Sequence, residues 1–222
     1  MNRKRRDKGM TLEPQGRTSI TDPLNDDPDQ RILRLFNHYR HDWMNDIQIL
    51  MGYVQLKKYD KLSPLMEKIK AKVQQESYIS KLGIPHLILH LLTFQAEVKE
   101  LALDIRLEEE VHLSELEHPE ASAEEIIAVL DAFKEEATVS MEDESFLVLR
   151  LSREGQRLLL TAVYEGAYIN ERIAQKEAQL NAKRLAEGGS KLEAQNGERK
   201  IVWKLYWTYA DVIHKEGDCD VC

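Results

Sequence analysis

Residues 37–45, with the sequence NHYRHDWMN, lie early in a long segment that has the periodicity of an amphipathic helix. The apolar residues of this segment recur at steps of three and four: Leu33, Phe36, Trp43, Ile47, Leu50, Met51 and Val54. At about 100° per residue, His41 falls on the opposite face of the helix. Its neighbours on that face are Arg34, Asn37, Asn45, Gln48 and Gly52. We therefore expect the His41 imidazole to point toward solvent in open surroundings.

An exposed imidazole at this position has two interpretations. It is either an ordinary solvated histidine or a nucleophile, since a neutral imidazole at physiological pH can attack an electrophile brought by another molecule. Asp42 follows His41 directly, and Asn45 stands one turn further along the same face. Asp42 could hold the tautomer that leaves one ring nitrogen free, provided that its rotamer allows it, because adjacent residues on a helix do not face each other.

The segment from Arg40 to Asn45, followed by Ile47, Gln48 and Gly52, resembles the phosphoacceptor helix of the sporulation initiation phosphotransferase B family. It is also similar to the related helical domain of citrate- and dicarboxylate-type sensor histidine kinases. The resemblance is specific from Leu33 to Gly52 and looser beyond. It implies that His41 carries a phosphoryl group.

The composition of the chain excludes several other classes. With 222 residues and a net charge of −8, it can bury a sizeable core, and extensive nucleic-acid binding is not expected. No apolar run reaches the ~18 residues of a membrane span, and the basic residues 1–8 are followed by no apolar region of a secretory signal. We therefore predict a cytoplasmic protein that contacts neither membrane nor nucleic acid.

The two ends of the chain are predicted to be disordered tails, comprising residues 1–28 and 217–222. Prolines and a glycine interrupt any periodicity in the first. The second contains Cys219 and Cys222, whose spacing is that of a redox or metal half-site. Without a second pair this signal is weak, and both are interpreted as reduced thiols.

Residues 29–83 are predicted to form an antiparallel helical hairpin. The first helix runs from Asp29 to about Lys58, and the second starts at Ser63-Pro64 and stops at Gly83. The apolar face of the first helix is wider than one partner helix can cover. We therefore predict a homodimer in which two hairpins form a four-helix bundle. Alternatively, the second half of the same chain covers this face.

Residues 84–216 change to an α+β pattern. The predicted elements are a helix at 85–103, a strand at 104–108, a helix at 123–136, strands at 145–151 and 157–163, a helix at 169–186 and a strand at 200–207. This order is similar to the ATP-binding domain of histidine kinases, which implies a kinase-like α/β sandwich. The fold class predicted for the whole chain is α+β.

This second domain departs from the kinase pattern where kinases bind nucleotide. The segment 126–133 matches the asparagine-rich helix that holds magnesium and phosphates in kinases, but it contains no asparagine. No Gly-x-Gly occurs in the chain, and Gly188-Gly189 alone is more typical of a linker. We predict a degenerate domain that lacks an ATP site and docks a partner protein instead.

The family resemblance then supplies the source of the phosphoryl group. It implies that His41 accepts it from the aspartyl phosphate of a response-regulator receiver domain and passes it to a second receiver, in control of sporulation initiation. This chain is predicted to bind no cofactor and no metal, with Mg²⁺ expected in the acidic pocket of the receiver. The alternatives are a histidine kinase with a divergent ATP site and a non-catalytic module that binds a regulator.

Supporting roles are assigned to five neighbours of His41. Asn45 and Gln48 could hydrogen-bond the transferring oxygens or the receiver. Arg40 is either a cation near the phosphoryl group or one half of an intersubunit salt bridge. Asn37 and His38 are placed at the partner-binding surface. His38 is expected to be a bystander of the chemistry, because two histidines without a further ligand make a weak zinc site.

Overall fold

The computed structural model describes residues 27–139 and 144–210 of the chain. Five helices and five strands follow in the order α1 (Pro28–Gln55), α2 (Leu62–Ser80), α3 (Pro85–Glu97), β1 (Leu101–Leu107), α4 (Pro119–Val139), β2 (Ser145–Glu154), β3 (Arg157–Glu165), α5 (Asn170–Ala186), β4 (Glu193–Asn196) and β5 (Lys200–Thr208). The predicted α+β class is confirmed. The predicted tails, with Cys219 and Cys222, lie outside the described residues except for positions 27 and 28.

Helices α1 and α2 form the predicted hairpin. A single 3₁₀ turn, Tyr59–Lys61, joins them, and Lys57 takes a left-handed conformation with φ of 54° where the chain leaves α1. Within α1 the only buried residue is Leu35. The apolar face of α1 is exposed in the single chain, including Phe36 and Trp43 with exposed fractions of 61% and 53%. The second half of the chain therefore does not cover this face.

The second half of the chain forms one mixed sheet with helices packed on it. The strand order is β1-β2-β3-β5-β4, in which β1 runs parallel to β2 and the remaining pairs are antiparallel. Gly155, with φ of 62°, makes the tight turn between β2 and β3. The centre of the core is aromatic: the ring of Phe133 on α4 stacks on Tyr164 at 5.0 Å and lies 4.8 Å from Trp203.

The boundary between α3 and β1 differs from the prediction, and one strand was not predicted. Helix α3 ends at Glu97 rather than 103, because Val98 is already extended, and β1 accordingly starts at Leu101 rather than 104. The short strand β4 was not expected, because its sequence, Glu-Ala-Gln-Asn, has low intrinsic strand preference. Its pairing with the apolar strand β5 supplies the tertiary context that holds it extended.

Two contacts attach the hairpin to the sheet domain and thereby position the site. The Arg34 Nε donates to Glu97 Oε1 at 2.8 Å, which joins α1 to α3. The side-chain amide of Gln75 on α2 bonds both backbone groups of Leu107, accepting from the N–H at 2.9 Å and donating to the carbonyl at 3.1 Å. Gln75 thus caps the outer edge of β1, where no further strand of the described residues pairs.

Candidate phosphoacceptor site

His41 lies in the middle of α1 with 86% of its side chain exposed. The polar residues predicted around it, Asn37, Arg40, Asn45 and Gln48, are exposed as well. Gly52 faces open space, since a Cβ placed there would meet nothing within 4 Å. The surface around the imidazole is therefore accessible to another macromolecule, as the helix periodicity predicts. The individual roles assigned to these residues stay predictions.

Asp42 is the most connected polar residue beside His41. Its Oδ2 accepts a hydrogen bond from Lys72 Nζ on α2 at 2.9 Å, and the Nε2 of His38 lies 3.7 Å from the same oxygen. Its Oδ1 lies 4.0 Å from His41 Nδ1. This last distance is too long for a hydrogen bond. The predicted role of Asp42 in fixing the His41 tautomer therefore requires a side-chain rotation that shortens it.

The hydrogen bond between Lys72 and Asp42 determines the ionisation of both groups. The hydrogen bond from Lys72 is the main reason that the pKa of Asp42 lies below its usual value, and the nearby Lys72, His38 and His41 charges act in the same direction. Burial lowers the pKa of Lys72, but the hydrogen bond and the negative charges of Asp42, Glu76 and Asp46 outweigh it and raise this pKa. Both groups are therefore ionised at neutral pH.

A cleft of about 450 Å³ opens beside Asp42, between the hairpin and the neighbouring α3 and β1. Its walls include His38, Tyr39, Lys72 and Glu76. Burial is the main cause that raises the pKa of Tyr39 to about 12, and burial also raises the pKa of Glu76. The Tyr39 phenol is therefore neutral at physiological pH and does not compete with an imidazole as a nucleophile.

Lys72 is the residue of this site that sequence reasoning missed. It lies 30 positions beyond Asp42, and the pattern of α2 does not distinguish it from the neighbouring lysines Lys68 and Lys70. One signal was present in the hairpin itself. Residues at similar distances from the connection of an antiparallel hairpin lie opposite each other, and this register brings Lys72 near Asp42.

Among residues 27–139 and 144–210, no three His, Cys, Asp or Glu side chains are grouped so that they could hold a metal ion. In the same ranges, every helix is too short or too polar to cross a lipid bilayer.

Comparison with known proteins places this site in a family. The sensor kinase SpoOB-type alpha-helical domain matches residues 29–82. The sporulation initiation phosphotransferase B of Bacillus subtilis (strain 168) is 29% identical over 139 residues, which cover 62% of this chain and 71% of the relative.

Two solved structures are distant neighbours. The Acinetobacter baumannii histidine kinase AdeS is 13% identical, with a TM-score of 0.41, covering 77% of this chain and 98% of its own. Histidine kinase ThkA, in a complex with response regulator protein TrrA, is 12% identical, with a TM-score of 0.43, covering 83% of this chain and 64% of its own.

The helical hairpin with its exposed His41 is therefore a SpoOB-type alpha-helical domain. Over a longer stretch, covering 62% of its length, the chain is similar to sporulation initiation phosphotransferase B.

Proposed function

We propose that this chain is a phosphorelay phosphotransferase in which His41 accepts a phosphoryl group from one response regulator and passes it to another, in the control of sporulation initiation. The observation that carries the proposal is the 86% exposed imidazole on an open helix face of a SpoOB-type domain. The enzyme class is that of the curated relative, which is named a phosphotransferase. A cytoplasmic location fits a protein that exchanges phosphate with response regulators.

The reaction needs little covalent machinery from this chain. The neutral imidazole, with its proton on Nδ1, attacks the phosphorus of an aspartyl phosphate through Nε2. The N–P bond forms as the P–O bond to the acyl oxygen breaks, and the aspartate leaves as a carboxylate. The ring becomes positively charged, and the reverse step onto a second aspartate restores the neutral imidazole. Positioning and charge stabilisation dominate catalysis of this kind.

The donor and acceptor are receiver domains of response regulators. Their own acidic pocket holds the Mg²⁺, so this chain needs no ligand for it. Asn45 and Gln48 are exposed on the His41 face, where their amides would meet the transferring oxygens or the receiver surface. Asn37 and His38 extend this surface toward the start of α1. Arg40 is exposed as well, where its guanidinium would contact the phosphoryl group or form an intersubunit ion pair.

The protein acts as a homodimer in this proposal. In the single chain, the apolar face of α1 is exposed, and Met66 and Val73 on α2 are 59% and 50% exposed. A second hairpin would bury these side chains in a four-helix bundle. His41 lies on the opposite face of α1, so each subunit would keep its acceptor on the outside of the bundle.

The experiment that tests the proposal follows a radiolabel. The chain is mixed with receiver domains that have been phosphorylated with labelled acetyl phosphate, and the label on His41 is located by mass spectrometry. His41→Gln should abolish labelling, and His38→Gln should leave most of it. His86→Gln is the matched control, because this half-exposed histidine lies on α3, away from the site.

Three outcomes would overturn the proposal. Labelling of the purified chain by ATP and magnesium without a receiver would identify a histidine kinase. Stable binding of the receiver without an acid-labile, alkali-stable label would identify a regulator-binding module. Labelling that survives His41→Gln would show that the acceptor is a different residue.

A further inference from the structure

We propose that Lys72 is a positioning residue for phosphoryl transfer, which acts on His41 through Asp42. The inference rests on the proposed role of His41 as the acceptor and extends it to the opposite helix of the hairpin. It is carried by the way in which Lys72 and the two histidines share the two oxygens of one carboxylate.

The two oxygens of the Asp42 carboxylate face different groups. Lys72 Nζ holds Oδ2 at 2.9 Å, a charge-assisted hydrogen bond of ordinary length. Oδ1 is the oxygen that lies on the side of His41 Nδ1, at 4.0 Å. Because the two oxygens are rigidly linked, fixing Oδ2 limits the rotation of the whole carboxylate. The hydrogen bond would then require a rotation of the exposed His41 ring that shortens the 4.0 Å separation of Nδ1 and Oδ1.

The chemistry requires this orientation. Attack through Nε2 is possible only when the proton sits on Nδ1, and a carboxylate facing Nδ1 favours that tautomer. As the N–P bond forms and the P–O bond of the aspartyl phosphate breaks, the ring gains positive charge, which the same carboxylate stabilises. Lys72 touches neither the ring nor the phosphate in this arrangement. Its contribution is to keep Asp42 aimed at His41.

The other charged groups around the pair favour the same conclusion. His38 Nε2 lies 3.7 Å from Oδ2 and competes with Lys72 for that oxygen. The negative charges of Glu76 and Asp46 act on Lys72 and help to raise its pKa, and the Asp42 charge helps to raise the pKa of Glu76. Without the Lys72 ammonium, Oδ2 would lose the hydrogen bond that holds it, and only the 3.7 Å contact with His38 would remain. The carboxylate would then be able to rotate away from the position it holds here.

The first test measures rates of phosphoryl transfer from a phosphorylated receiver domain. Lys72→Met should slow the first-order rate at saturating receiver by about tenfold, as expected for a misplaced positioning group. The half-saturating receiver concentration should change by less than about twofold. Lys72→Arg should recover part of the rate, because it restores a cation. Lys70→Met is the matched control on the exposed side of the same helix, and it should transfer at the wild-type rate.

A double variant shows whether Lys72 acts through Asp42. If it does, Asp42→Asn combined with Lys72→Met should be no slower than Asp42→Asn alone, since the two residues work as one unit. Additive losses would mean that Lys72 contacts the receiver or the phosphate directly, and they would overturn the proposal. A Lys72→Met variant that transfers at the wild-type rate would also overturn the proposal.

A second readout does not depend on transfer. Nitrogen-15 NMR of the His41 imidazole reports which ring nitrogen carries the proton, and circular dichroism verifies that each variant is folded. We expect the Nδ1–H population to fall in Lys72→Met and in Asp42→Asn but not in Lys70→Met. An unchanged tautomer in both variants would overturn the positioning role. If no receiver labels the wild-type chain, the proposed function itself fails, whereas a labelled wild type with an insensitive Lys72→Met refutes only this inference.

Discussion

At the scale of single residues, Asp42 organises the polar surface beside His41. One carboxylate, two thirds buried, faces a lysine at 2.9 Å and two histidines at 3.7 and 4.0 Å. An isolated ion pair at a partly exposed site contributes little to stability. The same pair can still restrict the rotamers of its members, and this restriction matters for a neighbouring nucleophile. The Asp42–Lys72 pair should therefore be more evident in transfer rates than in stability.

We expect Lys72→Met to lower the free energy of unfolding by at most about 1 kcal/mol at neutral pH, since both partners are partly exposed. Lys72 depresses the pKa of Asp42 in the folded protein. The Asp42–Lys72 pair therefore stabilises the fold above the ordinary aspartate pKa of about 4. This stabilisation is lost as the pH falls through the lower pKa of the folded state.

Urea unfolding over a series of pH values, at one protein concentration, measures this effect. The curves of free energy against pH for wild type and Lys72→Met should converge on the acidic side. Lys70→Met should run parallel to the wild type throughout. A gap between wild type and Lys72→Met that stays constant down to about pH 2 would show that the lost stability does not come from the ionised Asp42.

A buried ion pair in the sheet domain should contribute much more to stability than the Asp42–Lys72 pair. Arg184 on α5 is fully buried; it bonds Glu125 of α4, which also accepts from Trp207 Nε1 at 2.6 Å. Arg184→Met should cost about 3–5 kcal/mol, because it leaves the Glu125 charge buried without its partner. Thermal or urea unfolding measures the loss. Lys183→Met, one position earlier, removes an exposed pair with Glu124 and should cost less than about 1 kcal/mol; equal losses in the two variants would refute this account.

The sequence predicted the part of the candidate site that lies on α1 but not the part that lies on α2. The exposure of His41 follows from helix periodicity alone, because the positions of the apolar residues fix which face of α1 is polar. Lys72 could not be found in this way, since its contact with Asp42 depends on how two helices are aligned across a turn. The buried Arg184 was missed for a related reason: an arginine in a polar helix looks solvent-exposed until the acid that pairs with it is known.

At the scale of elements, the attachment of the hairpin to the sheet edge depends on Gln75. Its side-chain amide makes two hydrogen bonds with the backbone of Leu107 and so acts as a one-residue substitute for a neighbouring strand. Gln75→Ala should destabilise the protein by about 1–3 kcal/mol, because it leaves both backbone groups without their partner. Hydrogen exchange should become faster at the Leu107 amide.

Gln74→Ala provides the control for this prediction. Gln74 is adjacent on α2, but its amide donates to the Tyr78 hydroxyl on the same helix at 2.9 Å. This variant should leave exchange at Leu107 unchanged. If the two variants accelerate exchange at Leu107 equally, the effect comes from weakened α2 and not from the lost cap of β1.

Elements with strong periodicity were predicted well, and weak ones were not. Strands β2, β3 and β5 are rich in leucine, valine and aromatic residues, and each was placed within a few residues of its observed bounds. Strand β4 has no such signal, because its four residues are extended only through their pairing with β5. Helix α3 was extended too far because apolar residues continue through Leu101 and Leu103, which belong to β1.

At the scale of the whole molecule, the apolar face of α1 in the single chain is the feature that remains to be explained. Ile47 is half exposed near the middle of this face, and Met51 and Val54 are 55% and 51% exposed one and two turns further on. Such a continuous apolar surface on a folded domain normally marks an interface. The face runs along a helix of 28 residues, which suits an identical helix related by a two-fold axis.

A charge at the centre of this face should therefore separate the subunits. In the dimer, Ile47→Glu would bury two unpaired carboxylates near each other, at a cost of several kcal/mol, so the dissociation constant should rise by about 100-fold or more. Sedimentation equilibrium should show a dimer for the wild type and a monomer for the variant at micromolar concentration. Leu185→Glu is the matched control, because Leu185 is 61% exposed on α5 and should remain dimeric. A wild-type monomer that transfers phosphate fully would contradict the bundle, because each hairpin would then present a working His41 with its apolar face open to water.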